Sequence, residues 1–128
     1  MPTVTGIFDV TMRPEADTSA ETGSARMRLE KRYHGALDAS ALGTFLGART
    51  AVEGSAGYVA IERVSGTLDG RQGSFVLQHA GSMERGSLRL EIHVVPDSAD
   101  GELQGLRGQL GIRIDAGKHY YSFDYTLP

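Results

Sequence analysis

The spacing of glycine constrains the fold of this chain more than any other feature. The 128 residues include 17 glycines, which recur between short runs of β-forming residues instead of pooling in one linker. Residues 66–75 and 101–110 both read G-x-L-x-G-x-x-G-x-[FL], and residues 35–45 are a decayed copy. Glycine at this spacing lets a strand bend or bulge sharply while the intervening leucine stays on the buried face. The repeat therefore predicts a closed, curved sheet.

Alternating apolar and polar residues between the glycines predict eight β-strands. Hairpin signals lie at Glu53-Gly54-Ser55, at residues 81–86 and at Ala116-Gly117. The expected strands are residues 4–12, 24–34, 43–52, 57–68, 73–80, 87–95, 102–114 and 118–127. The polar segment 13–23 is interpreted as a loop or a short helical lid. The predicted fold class is all-β, with residues 1–128 forming one closed antiparallel up-and-down barrel of eight strands.

Period-two alternation predicts which side chains face the barrel interior. Lys31 in the second strand and His79 in the fifth are polar residues that interrupt apolar inward rows. The inward rows are Met27, Leu29, Lys31 and Tyr33; Phe75, Leu77 and His79; Leu88, Leu90, Ile92 and Val94; Leu110, Ile112 and Ile114; and His119, Tyr121, Phe123, Tyr125 and Leu127. In the fourth strand two alternatives stay open, either Tyr58, Ala60, Glu62 and Val64 inward, or Val59 and Ile61.

Composition argues against several classes of partner. A net charge of −3 with both signs interspersed provides no basic stripe for nucleic acid. No apolar run approaches the roughly 20 residues that a membrane helix needs. The N-terminus has neither a basic nor an apolar leader and the chain has no cysteine, so we expect a cytoplasmic protein. The histidines show no metal-binding spacing and no phosphate-loop motif occurs, so we expect no metal and no cofactor.

Several segments together carry a resemblance to a known family. They are Gly57-Tyr58-Val59-Ala60-Ile61-Glu62, the run from Gly70 to His79, and the ending His119-Tyr120-Tyr121-Ser122-Phe123-Asp124-Tyr125. With Gly6-Ile7-Phe8-Asp9-Val10, they resemble the bacterial family called domain of unknown function 3224 over nearly the whole chain. The resemblance implies a lipocalin-like barrel similar to that of allene oxide cyclase, an enzyme that cyclises a fatty-acid epoxide. A shared fold does not transfer function, and no catalytic residue is carried over.

Eight residues are candidates for a ligand site: Lys31, Tyr58, Glu62, Arg71, Phe75, Gln78, His79 and Tyr121. His79 suits a general acid or base at the barrel mouth, and the alternative is a structural hydrogen bond at a strand end. Lys31 and Glu62 suit a buried pair that binds a polar ligand group. The alternative for them is an ion pair at the rim, with the lysine stem lying along apolar surface.

The remaining candidates also have two interpretations. Tyr58 and Tyr121 combine an apolar ring with a hydroxyl that can orient a ligand, and the alternative is ordinary core filling. Arg71 and Gln78 flank a glycine corner and suit a carboxylate, and the alternative is that Arg71 solvates a turn. Phe75 is expected to line an apolar cavity.

An eight-stranded barrel is just wide enough to be filled by side chains or to hold one small ligand. The predicted function is therefore binding of a small, largely apolar molecule inside the barrel. The expected cavity lining is Phe75, Leu77, Tyr121 and Phe123, with His79 or Lys31 at the polar end. Two alternatives stay open: an isomerase or cyclase in which His79, Glu62 or Lys31 moves a proton, and a structural module that forms a homo-oligomer.

Overall fold

The closed barrel is confirmed by a computed structural model, which describes residues 2–15 and 23–128. Each strand pairs antiparallel with its chain neighbours, and β8 pairs with β1 to close the sheet. The strands are β1 (Thr3–Pro14), β2 (Ser24–Gly35), β3 (Leu37–Arg49), β4 (Ala56–Leu68), β5 (Arg71–Glu84), β6 (Ser87–Val94), β7 (Arg107–Asp115) and β8 (Lys118–Thr126). The expected loop or lid falls mainly on residues 16–22, which lie outside the described residues.

Three predicted boundaries differ from the structure by four residues or more. β3 begins at Leu37 rather than residue 43, because Leu37, Ala39 and Ala41 alternate with exposed residues and face the core. β7 begins at Arg107 rather than residue 102, because Gly101–Leu103 form a 3₁₀ helix instead of a strand. The hairpin expected over residues 81–86 is tighter, since β5 continues to Glu84 and β6 starts at Ser87.

The two copies of the glycine repeat form different structures but bury the same leucine. In the first copy, Asp69 and Gly70 turn the β4–β5 hairpin with φ angles of 49° and 80°. In the second copy Gly101–Leu103 form a 3₁₀ helix, and Gln104 and Gly105, which correspond to Asp69 and Gly70, form the turn that leads toward β7. Leu68 is 0 % exposed and Leu103 is 1 % exposed, which confirms that the repeat leucine faces the interior.

The barrel has one filled end and one open end. Leucine and tyrosine side chains plug the end that carries the β2–β3 and β4–β5 turns; they are Leu37, Leu68, Leu103, Leu106 and Tyr125. At the opposite end, Leu88 and Ile114 were expected to be inside but are 62 % and 65 % exposed. Both residues are at inward-facing positions of their strands, but they lie next to hairpins, where the strands extend beyond the packed core.

The ambiguity in the fourth strand is settled by burial. Ala60, Glu62 and Val64 are buried, whereas Val59 and Ile61 are 54 % and 51 % exposed on the outer face. The outer face of β3 beside them adds exposed Leu42 and Leu46. The formation of a homo-oligomer stays a prediction.

Candidate ligand-binding site

A charged cluster is buried in the middle of the barrel around Glu62, which is 0 % exposed. Its carboxylate accepts hydrogen bonds from Lys31 Nζ at 3.0 Å, from His79 Nε2 at 2.7 Å and from the Tyr33 hydroxyl. An ionised carboxylate can only accept, so Nε2 of His79 carries the proton of its bond. Lys31 Nζ also lies 4.9 Å from the centre of the Phe8 ring, which adds a cation–π contact.

The cluster forms because β3 contributes only small side chains where it crosses the interior. Lys31 of β2 is opposite Ala41 of β3, and Glu62 of β4 is opposite Gly43. A Cβ on Gly43 would lie 2.9 Å from the Cα of Glu62, too close for a side chain to fit without displacement. The lysine and the carboxylate therefore reach each other across β3.

The pKa of Glu62 reflects opposing effects of burial and pairing. Burial alone raises the pKa of the carboxyl group, because the interior disfavours its charged form. The hydrogen bond from His79, the charge of Lys31 and the hydrogen bond from Tyr33 outweigh burial and hold the pKa of Glu62 below its ordinary value. The carboxylate is consequently ionised at neutral pH.

The structure gives the positions of Lys31, Glu62 and His79, and their contact with a ligand stays a prediction. Lys31 and Glu62 meet inside the barrel and not at the rim, with side chains that are 4 % and 0 % exposed. His79 lies in the interior of β5, neither at the mouth nor at a strand end. Within the described part of the chain, no buried side-chain nitrogen or oxygen lacks a hydrogen-bond partner. The cluster is thus complete without a ligand.

A cavity of about 770 Å³ occupies the open end of the barrel. Most of its lining comes from inward-facing positions at the ends of β1 to β6. The described lining residues are Met12, Gly23, Ala25, Met27, Phe45, Gly47, Ala48, Arg49, Ala56, Gly57, Tyr58, Gly81, Ser82, Met83 and Leu88. The lining is mainly apolar, as is usual for sites that bind small molecules.

Two stacked rings form the floor of this cavity. Phe45 and Tyr58 have ring centres 4.7 Å apart and planes inclined by 18°. Each ring covers a glycine: a Cβ on Gly47 would lie 2.7 Å from Cε1 of Phe45, and a Cβ on Gly81 would overlap Cε1 of Tyr58. The glycines make the room in which the rings lie flat. We call Phe45 and Tyr58 the aromatic floor.

Tyr58 connects the cavity with the charged cluster. Its ring centre is 6.3 Å from that of His79, and the residue also lines the cavity. Burial, and then the negative charge of Glu62, raise the pKa of the Tyr58 hydroxyl. Hydrogen bonds to this hydroxyl are absent from the described part of the structure. Tyr58 is thus the candidate residue that contacts both regions.

The other candidates lie away from the cavity. Phe75 and Tyr121 are core residues: Phe75 stacks on Phe123 with ring centres 5.8 Å apart, and the Tyr121 hydroxyl donates to the carbonyl oxygen of His34 at 3.0 Å. The expected cavity lining is therefore wrong, because these aromatic rings pack together in the filled half of the barrel. Arg71 and Gln78 are exposed and lie seven positions apart along β5, outside both regions.

Sequence reasoning missed Tyr33 as a partner of Glu62, and it missed most of the cavity. The methionines carried a usable signal: Met12, Met27 and Met83 are the described methionines, and all of them line the cavity. Each lies at an inward-facing position near the end of a strand. Because apolar residues at such positions also fill ordinary cores, the pattern alone does not distinguish a cavity from packing.

Two negative findings apply to the described residues. No helix in residues 2–15 and 23–128 has the length and apolar character to cross a bilayer. In the same residues, no group of three histidine, aspartate or glutamate side chains is arranged to hold a metal ion.

The fold and site define a small closed β-barrel with a buried ion cluster beneath an open apolar cavity. Comparison with known families shows that the chain belongs to the one described as "Protein of unknown function (DUF3224)", matched over residues 4–125. Among solved structures, a DUF3224-family protein of unknown function from Shewanella oneidensis MR-1 is 50 % identical and has a TM-score of 0.94. The alignment covers 100 % of this chain and 98 % of that one. Comparison with curated proteins found no match.

Proposed function

We propose that this protein binds a small, largely apolar molecule in the open end of its barrel. The observation that carries the proposal is the cavity of about 770 Å³, whose lining is mainly apolar. Cavities that hold small ligands typically measure about 300–1,000 Å³ and combine apolar walls with a few polar groups. Here Tyr58 and Arg49 supply polar side chains in an otherwise apolar lining.

The methionines also favour binding over simple core packing. Met12, Met27 and Met83 surround the space above the aromatic floor. Methionine side chains are flexible and polarizable, so they adapt to differently shaped apolar partners and make favourable contacts with aromatic rings. Met12 and Met83 are 37 % and 39 % exposed, which leaves apolar surface for a ligand to cover.

Binding is favoured over the isomerase or cyclase alternative by the position of the cluster. A catalytic proton donor or acceptor must come within hydrogen-bond reach of the substrate. Lys31, Glu62 and His79 are absent from the described cavity lining and are occupied by one another. Of the titratable groups among the candidates, only the Tyr58 phenol belongs to the described cavity lining, where it can contact a bound molecule.

Isothermal titration calorimetry with octanol tests the proposal. We expect saturable binding with a negative heat-capacity change, since apolar surface is buried. Ala56→Phe adds a ring to the lining on β4, opposite Met83, and should abolish binding. Ala80→Phe places the same ring on the outer face of β5 and should leave binding intact. Equal binding by both variants, or no saturable binding by the natural protein, would overturn the proposal.

A further inference from the structure

We propose that the ligand carries one anionic group, which Arg49 binds at the mouth while the apolar body lies above the aromatic floor. The inference rests on the proposed function and names the class of ligand: an apolar molecule with a single carboxylate or comparable anion. Arg49 was not among the candidates that the sequence suggested.

The position of Arg49 in β3 directs it toward the cavity. Phe45, Gly47 and Arg49 are alternate residues of one strand, and all three line the cavity. Alternate residues of a strand share one face of the sheet, so Arg49 belongs to the inward row. An arginine at the mouth end of an inward row can place its guanidinium beside a bound molecule without entering the core.

Charge complementarity favours an anion. Among the described lining residues, only Arg49 carries a charge, and none is an aspartate or a glutamate. Several other arginines are engaged by carboxylates, including Arg13 and Arg28 with Glu30, and Arg63 with Asp100. Arg49 forms no ion pair with the described residues. Its donors are therefore available to a planar anion such as a carboxylate.

The geometry also limits ligand length. A strand rises about 3.3 Å per residue, so the Cα atoms of Phe45 and Arg49 are separated by roughly 13 Å. A molecule that spans this separation needs an extended apolar body, whereas acetate or another very short anion is too small to span it. Octanoate is a suitable probe because it joins one carboxylate to a flexible apolar chain.

The test compares matched ligands and matched variants by isothermal titration calorimetry at low ionic strength. Octanoate, octanol and octylammonium share an apolar chain and differ in the charge of the head. In the natural protein we expect octanoate to bind about fivefold or more tightly than octanol, and octylammonium to bind less tightly than octanol. Added salt should reduce the preference for octanoate, because Arg49 is exposed to solvent.

Arg49→Gln should weaken octanoate binding much more than octanol binding and so remove the preference for octanoate, and Arg49→Lys should retain part of it. Arg85→Gln makes the same change of charge on the β5–β6 turn, outside the cavity lining, and should have no effect on the preference. Equal octanoate affinity in the natural protein and Arg49→Gln would overturn the inference. If octanol binds normally in that case, the proposed function stands; if neither ligand binds the natural protein, both proposals fail.

Discussion

Lys31 and Glu62 form a buried ion pair across β3, with Nζ and Oε1 3.0 Å apart, although their own strands do not pair with each other. The contact depends on a third strand that presents alanine and glycine at the crossing point. His79 and Tyr33 complete the hydrogen bonding of the carboxylate. This arrangement satisfies the buried charges below the aromatic floor, and the cavity lies above that floor.

Removing the carboxylate charge should destabilise the protein strongly. Glu62→Gln leaves the Lys31 ammonium buried without its counter-charge, so we expect a loss of about 3–5 kcal/mol in the free energy of unfolding. In the double variant Lys31→Met/Glu62→Gln the unpaired charge is absent, and most of that stability should return. Urea denaturation followed by circular dichroism measures both values. Equal destabilisation in the single and double variants would show that the charges are not coupled.

Stability should fall in acid because of Glu62. Its pKa is below the ordinary value in the folded state, so its contribution is fully present above the unfolded-state pKa and is lost as pH falls through the folded-state pKa. Urea denaturation at a series of pH values should show that the free energy of unfolding declines as the pH falls below the ordinary pKa range of carboxyl groups. Glu62→Gln should flatten this decline, whereas Glu53→Gln controls for net charge on an exposed turn. If the free energy of unfolding of Glu62→Gln declined with pH as steeply as that of the natural protein, the assignment of this decline to Glu62 would be contradicted.

The aromatic floor should depend on Gly81. A Cβ there would overlap the Tyr58 ring, so Gly81→Ala should cost about 1–3 kcal/mol by overpacking. In a Tyr58→Leu background the smaller side chain leaves room, and the added cost of Gly81→Ala should be much smaller. Gly111→Ala is the matched control, because its Cβ would meet only Ser122 O at 3.9 Å. Chemical denaturation of the natural protein, Gly81→Ala, Tyr58→Leu, the double variant and Gly111→Ala checks the prediction, which fails if Gly81→Ala costs the same in both backgrounds.

The two ends of the barrel should respond differently to truncation. Leu103 is 1 % exposed in the filled end, so Leu103→Ala should cost about 2–5 kcal/mol through lost packing and the cavity that it leaves. Leu88 is 62 % exposed beside the open cavity, so Leu88→Ala should reduce the stability of the protein only slightly. Thermal denaturation compares the two variants. Similar losses at both positions would contradict the distinction between a filled and an open end.

The fold could be predicted from the sequence because each local signal agreed with the closed sheet. Glycine spacing and period-two alternation indicated eight strands, and the inward parity of Lys31 and His79 indicated that polar groups enter the interior. Alternation predicts which face of the sheet a side chain is on, but it does not predict how deep in the barrel that side chain lies. Leu88 and Ile114 were therefore predicted to be inside, although they lie at the open end. Depth depends on how far each strand extends beyond the core.

Both interpretations of Lys31 and Glu62 paired the two residues, but the sequence did not decide between the interior and the rim, and it did not indicate the other partners of the pair. The contribution of Tyr33 depends on the register between β2 and β4 across β3, which alternation within one strand does not determine. The cavity was placed among Phe75, Leu77 and Phe123, which instead fill the opposite half. Whether inward aromatic rings stack together or enclose space depends on the glycines opposite them, such as Gly47 and Gly81.

The central claim, that the open end holds an apolar ligand, is tested most directly by nuclear magnetic resonance of protein labelled with [¹³C-methyl]methionine. Met12, Met27 and Met83 line the cavity, and Met→Leu variants assign their signals. On titration with octanol, all three signals should shift together and saturate, and the Ala56→Phe variant should show no such shift. Unchanged methionine signals at octanol concentrations near its solubility limit would contradict the claim.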